Sequence, residues 1–117
     1  MSPSVNAIDS CDGECFVIRG TVYRGPAVVF PHSVVALPHQ LELSGDAEAV
    51  LSCVQGDFRM VPIGVGGGFE RFSRILSSRL QRSGVRHEVM SMTAACDMYN
   101  VLLHESEHVC AVLLLPL

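Results

Sequence analysis

The sequence predicts a single α/β domain built in three layers. Its second half alternates helical and strand-like segments in the order α-β-α-β-α-β, which is typical of a sheet with helices packed on it. Its first half contains short β-branched and aromatic runs separated by glycine and proline, which indicates an added layer of short strands. The chain has 117 residues, 49% of them hydrophobic, so it can form one ordinary core but not two.

The first half starts with a polar segment, residues 1–14, which we expect to be a loose arm preceding a single domain at 15–117. From Cys15 onward the residues favour strands, and glycine or proline separates one strand from the next. A short helix follows before Gly56 and Asp57 break the chain. The predicted strands cover residues 15–19, 21–23, 27–30 and 34–37, and the short helix covers 46–54.

The second half contains the clearest helix, predicted at residues 69–83 after a buried strand at 58–65. Its apolar residues recur at i, i+3, i+7 and i+11, the spacing of one helix face, and Gly84 is well placed to end it. The residues of that face are Phe69, Phe72, Leu76 and Leu80.

Two more strands and a helix complete the prediction. A strand at 85–90 precedes a helix at 93–104, which the hydroxyl of Thr93 can cap. The closing strand at 109–115 is apolar throughout, so we expect both of its faces to be covered. This run of about seven residues falls far short of the ~20 needed to span a membrane.

Charge and cysteine content exclude several function classes. The chain carries 8 basic and 12 acidic residues, a net charge of −4, so it lacks the overall positive charge typical of nucleic-acid-binding proteins. Every basic residue is arginine, which excludes a Schiff-base lysine or a phosphate-loop lysine. Five scattered cysteines without a secretory or transit signal indicate reduced thiols and a cytoplasmic location.

A glycine-rich turn lies where the strand at 58–65 meets the helix at 69–83. Backbone amides at such a position can hold an anion, so its glycines are candidate ligand-binding residues. The alternative is a tight structural turn, because Phe69 replaces the third glycine of the dinucleotide fingerprint and Glu70 would itself satisfy the helix dipole. The candidate residues are Gly64, Gly66, Gly67 and Gly68.

Arginines repeat along a second face of the same helix. Arg71, Arg74 and Arg82 follow a helical spacing, and such a face is either a solvated surface or a docking surface for an acidic partner. We therefore treat these three residues as candidate partner-docking residues.

Two motifs suggest metal ions, but we expect no metal site and no cofactor. His104-Glu-Ser-Glu-His108 satisfies H-E-x-x-H, but it lies at a predicted helix end, whereas zinc binding needs both histidines on one continuous helix. Cys11 and Cys15 have C-x₃-C spacing without a matching second pair. The sequence singles out no nucleophile and base pair, so we predict no catalytic residues.

Several segments, in order, resemble a known family. They include Tyr23-Arg-Gly-Pro-Ala-Val-Val-Phe-Pro-His-Ser-Val-Val35, Ile63-Gly-Val-Gly66, Thr93-Ala-Ala-Cys-Asp-Met-Tyr-Asn100 and Ala111-Val-Leu-Leu-Leu-Pro116. This pattern is similar, from Ile8 to Pro116, to the family of mitochondrial complex I assembly factor 3, whose bacterial members were filed as domain of unknown function 498. The resemblance implies a central mixed five-stranded sheet, with helices on one side and extra β structure plus a short helix on the other.

The resemblance also implies a role. The mitochondrial member helps to assemble complex I with other assembly factors, which would make respiratory-complex subunits or other assembly factors the partners here, at most peripherally at a membrane. Without a transit peptide, the chain looks like a bacterial-type member. Two hypotheses follow: a non-enzymatic protein-interaction domain, or a small-ligand or anion binder using Gly64–Gly68.

Overall fold

The secondary structure of the computed structural model follows the predicted alternation. The structure describes residues 5–38 and 45–116. In these residues the strands are β1 (Ser10–Cys11), β2 (Phe16–Ile18), β3 (Thr21–Tyr23), β4 (Ala27–Phe30), β5 (Ser33–Ala36), β6 (Val61–Val65), β7 (His87–Met90) and β8 (Ala111–Leu114), and the helices are α1 (Gly45–Cys53), α2 (Glu70–Arg82) and α3 (Met92–Glu105).

The strands form a mixed five-stranded sheet and a smaller antiparallel sheet. The order in the large sheet is β5-β4-β8-β6-β7. β4 pairs antiparallel with both β5 and β8, whereas β6 pairs parallel with both β8 and β7. The smaller sheet has the order β1-β2-β3. The predicted α/β class and the mixed five-stranded sheet are confirmed.

The large sheet separates two apolar cores. On one face, α1 and α2 cover side chains of β4, β6 and β8. On the other face, α3 and the three-stranded sheet cover the alternate side chains of β4 and β8. The domain therefore has three layers, with helices on one side and β structure with one helix on the other.

We expected a short helix on the face of the large sheet that carries the extra β structure. The helix there is α3, which has 14 residues and is the longest in the described part of the chain. Strand order explains its position. The chain moves outward from β6 to β7 through α2 and returns across β6 to β8 through α3. Right-handed crossovers that travel in opposite directions place their helices on opposite faces of a sheet.

The central position of β8 agrees with its apolar sequence. All four of its residues are buried, as we expected for a strand covered on both faces. In the register, Val112 lies between Val28 of β4 and Ile63 of β6. This strand is the only connection, within the described residues, between the β4–β5 hairpin and the parallel β6–β7 pair.

The described part of the predicted loose arm is packed against the domain. Val5 and Ile8 are buried, and the Asn100 side chain bonds the Ile8 backbone, with Oδ1 accepting from its amide at 2.9 Å and Nδ2 donating to its carbonyl at 2.8 Å. The Tyr99 hydroxyl donates to the Asn6 carbonyl at 2.8 Å. The polar composition of residues 1–14 misled the prediction, because residues distant in sequence supply these bonds.

Helix α3 begins at Met92, one residue before the predicted start at residue 93. Ser91, not Thr93, is the N-cap, and its hydroxyl accepts a hydrogen bond from the Ala94 amide at 3.3 Å. Both residues carry a suitable hydroxyl, so only the backbone conformation decides between them.

Across the described ranges, no helix combines the length and apolarity needed to cross a membrane.

Candidate functional site

The glycine-rich turn joins the end of β6 to the start of α2. Gly64 is the fourth residue of β6. The Gly66 amide donates to the carbonyl of Leu114 in β8 at 2.9 Å, and the Phe69 amide donates to the Gly66 carbonyl at 3.2 Å. One backbone hydrogen bond therefore fixes the turn to the central strand, and the other closes the turn itself.

An acidic side chain already occupies an amide of the turn. The Gly68 amide donates to the Glu70 carboxylate, 3.1 Å from Oε2 and 3.4 Å from Oε1. Glu70 is the first residue of α2, where a negative charge is favourable near the helix N-terminus. An incoming phosphate would meet this carboxylate, so the geometry favours the structural interpretation of the turn.

The four candidate glycines differ in their surroundings. A Cβ on Gly64 would lie 2.9 Å from the Cβ of Ala95, and a Cβ on Gly66 would lie 2.4 Å from Cδ of Pro116. Gly68 has a positive φ of 92°, a conformation that favours glycine. Gly67 has an ordinary φ and open space around it. Close packing thus explains why glycine is needed at Gly64 and Gly66, and backbone conformation explains it at Gly68.

We expect millimolar phosphate to leave the melting temperature of the protein unchanged, because Glu70 occupies the turn. A ligand that binds only the folded state would raise that temperature. The measurement is a thermal melt with and without phosphate at constant ionic strength. A rise that is absent in Gly67→Ala would instead support anion binding at the glycines.

The arginine face (Arg71, Arg74 and Arg82) lies on the exposed side of α2. All three side chains are exposed, opposite the buried Phe72, Leu76 and Leu80. In the part of the chain that the structure describes, no ion pair or hydrogen bond engages their guanidinium groups. Arg79 differs, because it is paired with Glu48 of α1. The structure thus brings three unpaired positive charges together on one surface of an acidic protein.

A hydrogen bond between α2 and β7 was missed by the sequence analysis. Ser77 Oγ lies 2.6 Å from Nε2 of His87, and Nδ1 of His87 lies 2.9 Å from the Val85 carbonyl oxygen. Nδ1 therefore donates to the carbonyl, and Nε2 accepts from the serine. Ser77 is inside α2, and the interior amides of a helix bond within the helix, so neighbouring backbone amides do not form an oxyanion hole beside it. The Ser77–His87 hydrogen bond connects α2 to β7. No local sequence motif predicts it.

The H-E-x-x-H segment is divided by the end of α3. Glu105 is the last residue of the helix and Ser106 is extended, so His104 and His108 do not share a continuous helix. Glu105 is paired with Arg59, and the ring of His108 stacks on Phe58 at a centroid distance of 4.5 Å. Among residues 5–38 and 45–116, no cluster of three or more His, Cys, Asp or Glu side chains could hold a metal ion.

All five cysteines are free thiols. Burial raises the pKa of Cys110 to about 12 and also raises the pKa of Cys96. Burial also raises the pKa of Cys11 and of Cys53. Because the thiolate is the reactive form, these four cysteines are poor nucleophiles at neutral pH.

Comparisons with known proteins point to one family. The profile of a family described as "Protein of unknown function (DUF498/DUF598)" matches residues 8–114. The human NADH dehydrogenase [ubiquinone] 1 alpha subcomplex assembly factor 3 is 30% identical over 112 residues, which cover 93% of this chain and 60% of that protein. An uncharacterised protein of Rhodobacter capsulatus is 33% identical over 107 residues, covering 92% of this chain and 82% of the relative.

The bovine assembly factor 3 is 26% identical, with 98% of this chain and 64% of that protein covered. The chain thus spans somewhat less than two thirds of the mammalian assembly factors that it matches.

Solved structures share the fold. A Xanthomonas campestris protein solved by NMR matches with a TM-score of 0.71 at 19% identity, covering 93% of this chain and 83% of its own. The crystal structure described as an outer membrane protein from Bartonella henselae matches with a TM-score of 0.68 at 22% identity and covers 98% of each chain. At these identities the similarity concerns the fold alone.

Proposed function

The chain belongs to the family described as protein of unknown function DUF498/DUF598, and on this premise we propose that it is a non-enzymatic protein-interaction domain that helps to assemble a respiratory complex. The mammalian relatives are named as assembly factors of NADH dehydrogenase, and the match to the human protein covers 93% of this chain. Its partners would be respiratory-complex subunits or other assembly factors, and its location the cytoplasm of a bacterial cell.

The observation that carries the proposal is the arginine face of α2. Arg71, Arg74 and Arg82 are exposed and, among the described residues, unpaired, on a chain whose net charge is −4. A local positive surface on an acidic protein favours a partner with an acidic surface and accelerates association with it. We infer that this face docks the partner.

Replacing all three arginines should separate binding from folding. We expect R71A/R74A/R82A to recover complex I subunits at least about tenfold less efficiently in co-purification from the native organism. Its free energy of unfolding should change by less than about 0.5 kcal/mol per site, because the side chains are exposed and form no ion pair or hydrogen bond with the described residues. Quantitative mass spectrometry of the captured proteins and urea unfolding measure the two effects.

A charge-matched control removes three exposed arginines elsewhere. R24A/R59A/R86A changes the net charge by the same amount, but its residues lie outside α2. We expect it to capture the same subunits at the level of the unsubstituted protein. Equal losses in both triple variants would show that net charge alone governs capture and would refute a specific docking face.

The alternative, a small-anion or small-ligand binder using Gly64–Gly68, predicts a different outcome of the purification. A small molecule retained by the purified protein, together with a phosphate-dependent rise in melting temperature, would support it. Recovery of complex I subunits without such a molecule would favour the assembly role.

A further inference from the structure

The N-terminal segment follows α3 toward the start of that helix. Asn6 bonds Tyr99, and Ile8 bonds Asn100. Farther along the segment, Sγ of Cys11 lies 3.8 Å from the carbonyl oxygen of Met92. Since Met92 precedes Cys96 by about one helical turn, this contact places Cys11 beside the turn that carries Cys96.

A cavity of about 270 Å³ lies between the N-terminal segment and α3. Both thiols, from Cys11 and Cys96, line it, and the pair shares the space with polar side chains. Cys11 is half-buried, whereas Cys96 is 3% exposed. The two side chains are close enough for each to influence the pKa of the other.

We propose that Cys11 and Cys96 are a modification site: a dithiol that a low-molecular-weight disulfide converts to an intramolecular disulfide. The proposal rests on the common cavity and on the contact of Cys11 with the first turn of α3. It does not depend on the assembly role. Such a bond would covalently join β1 to α3, two elements far apart in sequence.

The reaction proceeds by two exchange steps. The thiolate of Cys11, the more accessible of the two, attacks one sulfur of the small disulfide, whose S–S bond breaks and releases one small thiolate. The thiolate of Cys96 then attacks Sγ of Cys11 in the mixed disulfide and releases the second small thiolate. Each released thiolate takes up the proton given up by a cysteine. Two protein thiols are oxidised, and one small disulfide is reduced to two thiols.

The rate should depend steeply on pH. Burial raises the pKa of both cysteines, so their thiolate fractions are small at neutral pH. Below the pKa, the thiolate fraction of the attacking cysteine rises about tenfold per pH unit. The pair should therefore react slowly near neutrality and faster in mildly alkaline solution.

The test treats the reduced full chain with oxidised glutathione at about pH 7 and about pH 8.5. Remaining thiols are alkylated, and the non-reduced chain is digested with trypsin. Cleavage after Arg19 and Arg86 separates Cys11 from Cys96. We expect a disulfide joining peptide 1–19 to peptide 87–117, formed about tenfold faster or more at the higher pH.

Two variants identify the sulfurs. Cys15 lies in the same tryptic peptide as Cys11 and is its nearest competitor in sequence; C15S should form the cross-link as the unsubstituted chain does. C96S should not form it and should instead retain glutathione on Cys11, with a circular dichroism spectrum like that of the parent chain. A disulfide within peptide 1–19, or a mixed disulfide on Cys11 that persists when Cys96 is present, would overturn the proposal.

Discussion

Replacing Gly66 by alanine is expected to lower the free energy of unfolding by about 3 kcal/mol, the upper end of the usual cost of overpacking. The added Cβ would lie 2.4 Å from Cδ of Pro116 and 2.8 Å from the carbonyl oxygen of Leu114. Leu114 ends the central strand and Pro116 follows two residues later; a backbone carbonyl and a proline ring cannot swing aside as the end of a flexible side chain can. The Gly66 amide also bonds that carbonyl at 2.9 Å, so moving the backbone away would break the hydrogen bond. Urea unfolding measures the loss.

Gly67 provides the matched control. A Cβ on Gly67 meets no atom within 4 Å, and its φ is not in the left-handed region. Gly67→Ala should therefore change the free energy of unfolding by no more than about 0.5 kcal/mol. Similar losses in both variants would mean that flexibility of the turn, not close packing against β8, requires glycine.

Asn100→Ala should destabilise the protein by a similar amount, about 3 kcal/mol. The substitution removes both hydrogen bonds to the backbone of Ile8. Ile8 is 5% exposed, and an unpaired buried amide or carbonyl costs about 1–3 kcal/mol each. Hydrogen exchange should show faster exchange at the Ile8 amide, and urea unfolding should show the loss of stability.

Asp97→Ala is the control for that substitution. Asp97 is exposed on the same helix, and the gain in helix propensity on replacing either residue by alanine is similar. We expect the stability of Asp97→Ala to stay within about 0.5 kcal/mol of the parent chain. If Asn100→Ala were equally mild, the side-chain bonds to Ile8 would not hold the N-terminal segment on the domain.

Local sequence patterns predict most of the elements but not the position of α3. The apolar repeat of α2 and the apolar run of β8 give both elements within a few residues. The face on which α3 packs depends on the strand order β8-β6-β7, which is a long-range property. The docking of residues 5–11 was missed for the same reason, because Asn100 is separated from Ile8 by 92 residues.

The candidate site was predicted in part. The position of Glu70 in the first helical turn suggested that it competes with an anion, and its contact with Gly68 agrees with this. The pairing of Arg79 with Glu48, which distinguishes Arg79 from the arginine face, depends on how α1 and α2 pack. The hydrogen bond between Ser77 and His87 likewise depends on the helix resting over an edge strand.

The central place of β8 has a consequence for synthesis of the chain. Residues 111–114 follow every other described element, yet β4 and β6 meet only through them. A nascent chain can form the β4–β5 hairpin early, but the five-stranded sheet stays incomplete until β8 leaves the ribosome. At about 5–20 residues per second, the roughly 80 residues after β4 take on the order of ten seconds. During that interval the inner edge of β4 is unpaired, as is that of β6 once β6 has been made, and both edges are open to chaperones or to other nascent chains.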